Sequence, residues 1–143
     1  MELSPIQAFF EQYALGRTTR DTALIASQYA DPYMLADANG TRVIDRNTVL
    51  AVFPAGLELL KTHGHVSTNL RSLSEEIVDE HYRIVRARFV WRFERPDLPI
   101  VDVNIDTVFV VFAKEGKFTI VFQQEREDFR DALRFHGVLV APP

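Results

Sequence analysis

Three side chains, Tyr13, Asp37 and Asp106, have residue types and surroundings that suit acid–base chemistry. Asp106 lies in the middle of a β-patterned run among apolar neighbours. Burial there would raise the pKa of its carboxyl group, and the neutral acid could then donate a hydrogen bond. Asp37 follows the run Tyr33–Ala36, where a carboxylate could point back beneath covering helices. Tyr13 continues the apolar face of the first predicted helix. Together these residues could form the polar centre of a pocket.

Each of the three also has a structural interpretation. Asp37 lies just ahead of Asn39-Gly40, a strong turn signal, so its carboxylate could simply stabilise that turn. Tyr13 could be a core residue with one hydrogen bond. For Asp106 the structural and functional interpretations are equally supported by the residues alone.

The run Ile100–Ala113 has a different character on each of its two faces. Strand alternation predicts one face that begins polar and ends apolar: Asp102, Asn104 and Asp106, then Val108, Val110 and Phe112. We expect Asp102 and Asn104 to face water, because acidic and amide side chains near a strand end are seldom buried. A change from carboxylates to bulky apolar groups is also typical of a pocket wall. The predicted apolar wall consists of Phe10, Phe53, Trp91 and Phe112.

The elements that position these residues are helical first and β-rich later. Ser4 and Pro5 predict the start of helix one, with Gly16 near its end. Asp21 predicts the N-cap of a second helix that ends at Asp31-Pro32, and Asp45 that of a third, kinked or restarted at Pro54 and ending at Gly64. Asp128 predicts a cap for a short C-terminal helix through Arg134.

Six strands are predicted, because the β-patterned runs are separated by turn signals. They are Tyr33–Asp37, Thr41–Ile44, His65–Val78, His81–Glu94, Ile100–Ala113 and Lys117–Arg126. The order predicts one α+β domain over 1–143, in which about three helices cover a curved antiparallel sheet and leave a conical cavity.

This order of elements resembles the nuclear transport factor 2-like superfamily, which includes SnoaL-like polyketide cyclases and bacterial ketosteroid isomerases. Asp37 lies 24 positions after Tyr13, which matches the isomerase separation between an oxyanion-hole tyrosine and the catalytic base. Ile105-Asp106, followed by apolar residues and then Lys114-Glu115-Gly116, is similar to the strand that carries the isomerase's neutral aspartic acid.

The resemblance implies a cofactor-independent isomerase, cyclase or dehydratase that acts on a small, largely apolar carbonyl compound. Asp37 would take the proton, while Tyr13 and Asp106 would bind the developing oxyanion. The rival hypothesis is a module of the same fold that binds a ligand or a protein without catalysis. The resemblance also favours a homodimer formed through the outer face of the sheet, as does the excess of apolar residues on both faces of Ile100–Ala113.

Composition limits the classes of function. The net charge of −4 argues against non-specific nucleic-acid binding, and Arg86, Arg88 and Arg92 are expected to form a solvated outer surface. The chain has no cysteine, and the pair His63 and His65 has no third metal ligand in the pattern, so neither a metal nor another cofactor is expected. We expect a soluble cytoplasmic protein without a membrane segment, because no apolar run is long enough to span a bilayer.

Overall fold

The computed structural model describes residues 3–125 and 129–139. Its strands form one six-stranded sheet in the order β2-β1-β6-β5-β4-β3. The strands are β1 (Tyr29–Asp37), β2 (Gly40–Ile44), β3 (His65–Ile77), β4 (Tyr82–Phe93), β5 (Val101–Lys114) and β6 (Lys117–Glu125). The expected α+β class and strand count are confirmed.

The sheet is mixed, so the prediction of a wholly antiparallel sheet is wrong at one place. β3 to β6 form an antiparallel meander, but β1 lies parallel to β6. β1 and β2 thereby join the meander beside β6. The sequence pattern of a short hairpin does not predict this position. Two irregularities in the β3–β4 register, between His65 and Ser67 and between Leu70 and Ser72, are of the kind that bends a strand.

Four helices accompany the sheet: α1 (Pro5–Thr19), α2 (Thr22–Ser27), α3 (Arg46–Thr62) and α4 (Phe129–Phe135). The predicted caps are present, since Ser4, Asp21 and Asp45 accept backbone N–H groups of Gln7, Leu24 and Thr48. Asp128 and Arg126 lie outside the described residues, so the expected cap of α4 and the end of β6 stay predictions. No helix among the described residues is long and apolar enough to cross a membrane.

Some boundaries differ from those predicted. α1 continues three residues beyond Gly16 and ends at Thr19, followed by the C-cap residue Arg20 in a left-handed conformation. α2 ends at Ser27, and β1 begins four residues before the predicted strand. α3 runs continuously through Pro54. Tertiary packing therefore extends α1 beyond its predicted end and β1 ahead of its predicted start.

The core lies between the helices and the inner face of the sheet. Phe10 of α1 is fully buried, with its ring centroid 4.7 Å from that of Phe109 on β5. Two hydrogen bonds fix the end of α1 on β3: the Thr18 hydroxyl donates to the Thr68 carbonyl and accepts from the Thr68 amide, both at 2.9 Å. α1 is therefore fixed to the sheet at its middle and near its C-terminal end.

The strand β5 shows which of its two faces is the inner one. Val103, Ile105, Thr107, Phe109 and Val111 are buried beneath the helices, whereas Asp102 and Asn104 are exposed on the other face. The expectation that Asp102 and Asn104 face water is confirmed, and the alternation assigns Asp106 to that same outer face.

Candidate functional site

A cavity of about 160 Å³ lies between the helices and the inner face of the sheet. Its walls come from α1, α2 and α3, from strands β1, β4, β5 and β6, and from Phe129 of α4. The apolar part of the wall includes Phe53, Leu57, Phe89, Trp91 and Ile105. The lining of this cavity is mostly aromatic and aliphatic.

A cluster of polar side chains interrupts this apolar wall. Arg17 of α1 is only 6% exposed, and its guanidinium carbon lies 3.4 Å from the centroid of the Tyr13 ring. Its Nη2 donates to the Tyr29 hydroxyl at 2.9 Å, and its Nη1 donates to the Tyr13 carbonyl at 3.2 Å. The Tyr29 hydroxyl donates in turn to Oε1 of Gln123 at 2.6 Å. Three elements, α1, β1 and β6, thus converge on one polar group of atoms.

Gln123 completes the cluster through its amide nitrogen. Nε2 of Gln123 donates to the Tyr13 hydroxyl at 3.4 Å, which leaves the tyrosine's own proton available for another acceptor. Tyr33 lies beside this group, with its ring centroid 4.2 Å from that of Tyr29. All of these side chains line the cavity.

The electrostatics keep the phenols neutral and the guanidinium charged. Burial, with a smaller contribution from Tyr13, raises the pKa of Tyr29 well above its usual value. Burial likewise raises the pKa of Tyr33 to about 12. Burial by itself lowers the pKa of Arg17, but the neighbouring phenol oxygens of Tyr13 and Tyr29 more than offset this and raise it. The cavity therefore presents the Arg17 cation and the neutral hydroxyls of Tyr29 and Tyr33 at physiological pH, together with the carboxyl group of Glu125.

Asp106 does not reach this cavity. Its neighbours Ile105 and Thr107 line the cavity, so the carboxylate points to the outer face of the sheet. There it forms a bidentate ion pair with Arg88, with N–O distances of 2.7 and 3.0 Å. The predicted role of Asp106 as a buried neutral donor is wrong, because strand alternation and the guanidinium place an ionised carboxylate outside.

Asp37 closes its own turn. Oδ1 accepts the backbone N–H of Asn39 at 2.8 Å, and Oδ2 accepts from the Arg42 guanidinium at 3.3 Å. Although Asp37 lies on the same strand face as Tyr33 and Leu35, it does not contribute to the described cavity wall. Of the three residues predicted to share one cavity, with Tyr13 and Asp106 at a ligand oxygen and Asp37 as the base, only Tyr13 lines it, so the predicted arrangement is wrong in its geometry.

The predicted apolar wall is half right. Phe53 and Trp91 line the cavity. Phe10 is a fully buried core residue packed against Phe109 and does not reach the cavity surface. Phe112 lies on the outer face, with its ring centroid 5.3 Å from that of Tyr82, because it shares the alternation phase of Asp106.

Sequence reasoning missed Arg17, Tyr29, Gln123 and Glu125 as cavity residues. A signal for Arg17 was available: it continues the buried stripe Ile6, Phe10 and Tyr13 at helical spacing, so the pattern places a cation on the apolar face of α1. No comparable signal exists for Gln123. A register shift between Val110 and Val111 places both Ile120 and Gln123 on the inner face, which simple alternation does not allow.

The histidines also differ from expectation. His65 is 2% exposed, its Nε2 lies 2.9 Å from the Thr68 hydroxyl, and its ring packs 5.0 Å from Trp91. It is therefore a buried residue, whereas a position next to Gly64 is typical of a solvated loop. Among the described residues, no group of three or more His, Asp or Glu side chains is arranged to hold a metal ion.

Comparison of the sequence with known proteins identifies no family: no family model matches the chain, and no curated protein matches it. Comparison of the structure is informative. A nuclear transport factor 2-like protein with a cystatin-like fold from Novosphingobium aromaticivorans superposes with a TM-score of 0.71 and 11% identity, over 90% of this chain and 86% of that one.

Two further solved structures have names that suggest enzymes. A candidate scytalone dehydratase from Novosphingobium aromaticivorans has a TM-score of 0.65 and 13% identity, over 87% of this chain and 82% of that one. A candidate ketosteroid isomerase from Shewanella frigidimarina has a TM-score of 0.65 and 12% identity, over 85% of this chain and 94% of that one. At such identities the likeness establishes the fold alone: this chain has the nuclear transport factor 2-like, or cystatin-like, fold.

Proposed function

We propose that this chain binds a small, largely apolar compound in the cone cavity, with one oxygen-bearing group of that compound placed at the polar cluster. The observation that carries the proposal is the cavity itself, which combines a wall of apolar and aromatic side chains with the convergent polar atoms of Arg17, Tyr13 and Tyr29. Sites for small molecules have this composition: an apolar lining for affinity and a few placed polar groups for orientation.

The cavity volume limits the size of the ligand. About 160 Å³ is close to the volume, roughly 150 Å³, of an apolar cavity that accepts benzene. A compound with a single six-membered ring therefore fits without a change in the backbone. Two structural neighbours are named for isomerase and dehydratase chemistry, which supports a small-molecule site over a purely structural role.

A cavity-filling substitution tests this proposal. Ile105→Phe on the inner face of β5 should reduce the affinity for single-ring probes such as benzyl alcohol and acetophenone at least about 10-fold, since the added ring occupies the cavity. Titration followed by backbone amide NMR measures the affinity and shows which residues respond. In the wild type, the largest chemical-shift changes should occur at Tyr13, Phe53 and Trp91.

The matched control is Val108→Phe on the outer face of the same strand, which should bind the probes as the wild type does. Thermal unfolding of both variants verifies that they are folded. If neither probe perturbs the cavity residues of the wild type at millimolar concentration, the cavity is a packing defect and the proposal fails.

A second function, acid–base catalysis on the bound compound, is supported by one specific observation. Glu125 supplies the only carboxylate among the described lining residues, and it lies two positions beyond Gln123 on the same strand. A carboxylate and the Tyr13 hydroxyl facing one ligand would allow removal of an α-proton while the phenol stabilises the oxyanion. In this scheme Glu125 replaces Asp37 as the base.

Deuterium exchange tests catalysis without knowledge of the natural substrate. In D₂O the wild type should accelerate exchange of the methyl protons of acetophenone, as followed by proton NMR, and Glu125→Gln should remove most of that acceleration while acetophenone still binds. Asp37→Asn is the control and should exchange at the wild-type rate. Exchange at the uncatalysed rate in the wild type would leave ligand binding without catalysis.

A further inference from the structure

Arg17 is a buried cation whose described contacts are all with uncharged groups. Its hydrogen bonds go to a tyrosine hydroxyl and a backbone carbonyl, and its flat face lies on the Tyr13 ring. None of the ion pairs among the described residues includes Arg17. By contrast, Arg88 and Arg92 on the exposed outer face each pair with a carboxylate. The cation that most needs a counter-charge is thus the one inside the cavity.

Burial of an unpaired charge is costly, because the interior does not replace the hydration of the ion. Contact with an aromatic face and two hydrogen bonds offset part of that cost. They occupy two of the five N–H donors of the guanidinium, and the side chain lines the cavity. The remaining donors form the planar fork that matches a carboxylate.

We infer that the compound bound in the cavity is an anion, a carboxylate attached to a single ring, and that Arg17 receives its charge. This inference rests on the proposed function and adds to it the chemical class of the ligand. The ring lies in the apolar part, against Phe53 and Trp91, and the carboxylate lies at Arg17 with the Tyr13 hydroxyl as a further donor. The permanent cation attracts an anion, and the neutral hydroxyls of Tyr29 and Tyr33 do not repel it at physiological pH.

Glu125 is the side chain that most opposes an anion in the same cavity. It follows Gln123 by two positions on β6, which is roughly 7 Å along an extended strand. The Gln123 side chain reaches the Tyr13 and Tyr29 hydroxyls of the cluster, so Glu125 lies further along the strand from them. The carboxylate of the ligand therefore faces Arg17, and Glu125 disfavours a second negative group at the other end of the ring.

Paired probes that differ in charge but hardly in shape test the inference. Benzoate should bind the wild type roughly 10-fold to 100-fold more tightly than benzamide, the ratio expected for a charge-assisted hydrogen-bonded pair. Arg17→Met should remove this preference by weakening benzoate binding, with little change for benzamide. Arg17→Lys should retain part of it. Isothermal titration calorimetry measures all three, and Arg42→Met, at an exposed arginine, is the matched control.

The outcomes separate the two proposals. Equal affinity for benzoate and benzamide in the wild type, or unchanged benzoate affinity in Arg17→Met, overturns the anion inference and leaves the proposed function in place. Failure of every single-ring probe to bind the wild type overturns both. If Arg17→Met does not fold, the wild-type ratio and Arg17→Lys decide the question, since lysine keeps the charge and loses the planar fork.

Discussion

Arg17 and His65 are the most deeply buried basic residues among those that the structure describes, and they differ in charge. Arg17 remains a cation, whereas burial, and to a lesser degree the nearby Arg20 charge, lowers the pKa of His65 from 6.5 to about 4. His65 is therefore neutral in the folded protein near neutral pH. Among the described residues, its ring contacts Thr68, Trp91 and Phe93, and none of these supplies a carboxylate that would stabilise the imidazolium.

The lowered pKa of His65 predicts that the protein becomes less stable in mild acid. Below about pH 6.5 the unfolded chain binds a proton at His65 that the folded chain does not bind until about pH 4. The free energy of unfolding should therefore decrease as the pH falls from about 6.5 to about 4, by on the order of 1–3 kcal/mol from this residue. Below pH 4 this residue causes no further loss, since both states are then protonated.

Urea unfolding of His65→Gln at several pH values measures this contribution. The variant should be less stable at pH 7, because it loses the ring packing against Trp91, but its stability should change less between pH 6.5 and 4 than that of the wild type. His63→Gln, at a half-buried residue nearby, should keep the wild-type slope. Parallel slopes for His65→Gln and the wild type would contradict the assignment.

Among the elements, α1 and α2 approach each other most closely at Gly16. A Cβ atom at this position would lie 3.1 Å from Cγ1 of Ile25 in α2, and Ile25 is fully buried. The glycine lowers the helix propensity of α1, but because it has no Cβ atom it permits this close approach. α1 in turn carries both Tyr13 and Arg17 into the cavity.

Substitution of two helical glycines by alanine separates propensity from packing. Gly56→Ala in α3, where a Cβ meets nothing within 4 Å, should raise the free energy of unfolding by up to about 1 kcal/mol. Gly16→Ala gains the same propensity but presses on Ile25, so its net effect should be destabilising. Chemical denaturation measures both. Equal stabilisation by the two changes would mean that α2 shifts freely to accept the methyl group.

For the whole molecule, the outer face of the sheet carries both ion pairs and an outer apolar patch. The patch consists of half-buried side chains on β4, β5 and β6: Ile84, Val108, Val110, Phe112 and Phe122. The inner apolar set of β5 is covered by helices, so it is this outer set that needs another cover. The prediction of a homodimer through the outer face therefore stands, with the outer apolar patch at its centre.

Light scattering after size-exclusion chromatography tests the dimer. The wild type should have the mass of a dimer at high micromolar concentration, and Val110→Glu should have the mass of a monomer, since it places a charge in the outer apolar patch. Val43→Glu, at an exposed valine of β2, should remain dimeric. A monomeric wild type would remove the prediction.

The sequence by itself determined the features that depend on local chemistry. Caps at Ser4, Asp21 and Asp45 marked three helix starts, because each side chain satisfies a free backbone N–H group of its own helix. Alternation along β5 separated two faces correctly. Element order then predicted the cone and its cavity, since covering helices must bury one face of the sheet.

Tertiary structure decided which face is inner and what the cavity contains. Alternation is symmetric, so it does not tell whether Asp106 or Thr107 faces the helices. The packing of α1 on β5, with Phe10 against Phe109, decides this. A bulge in β6 turned Gln123 inward, and the parallel pairing of β1 with β6 brought Tyr29 to it. These contacts join residues far apart in the chain, and only the folded chain brings Arg17, Tyr29 and Gln123 around one cavity.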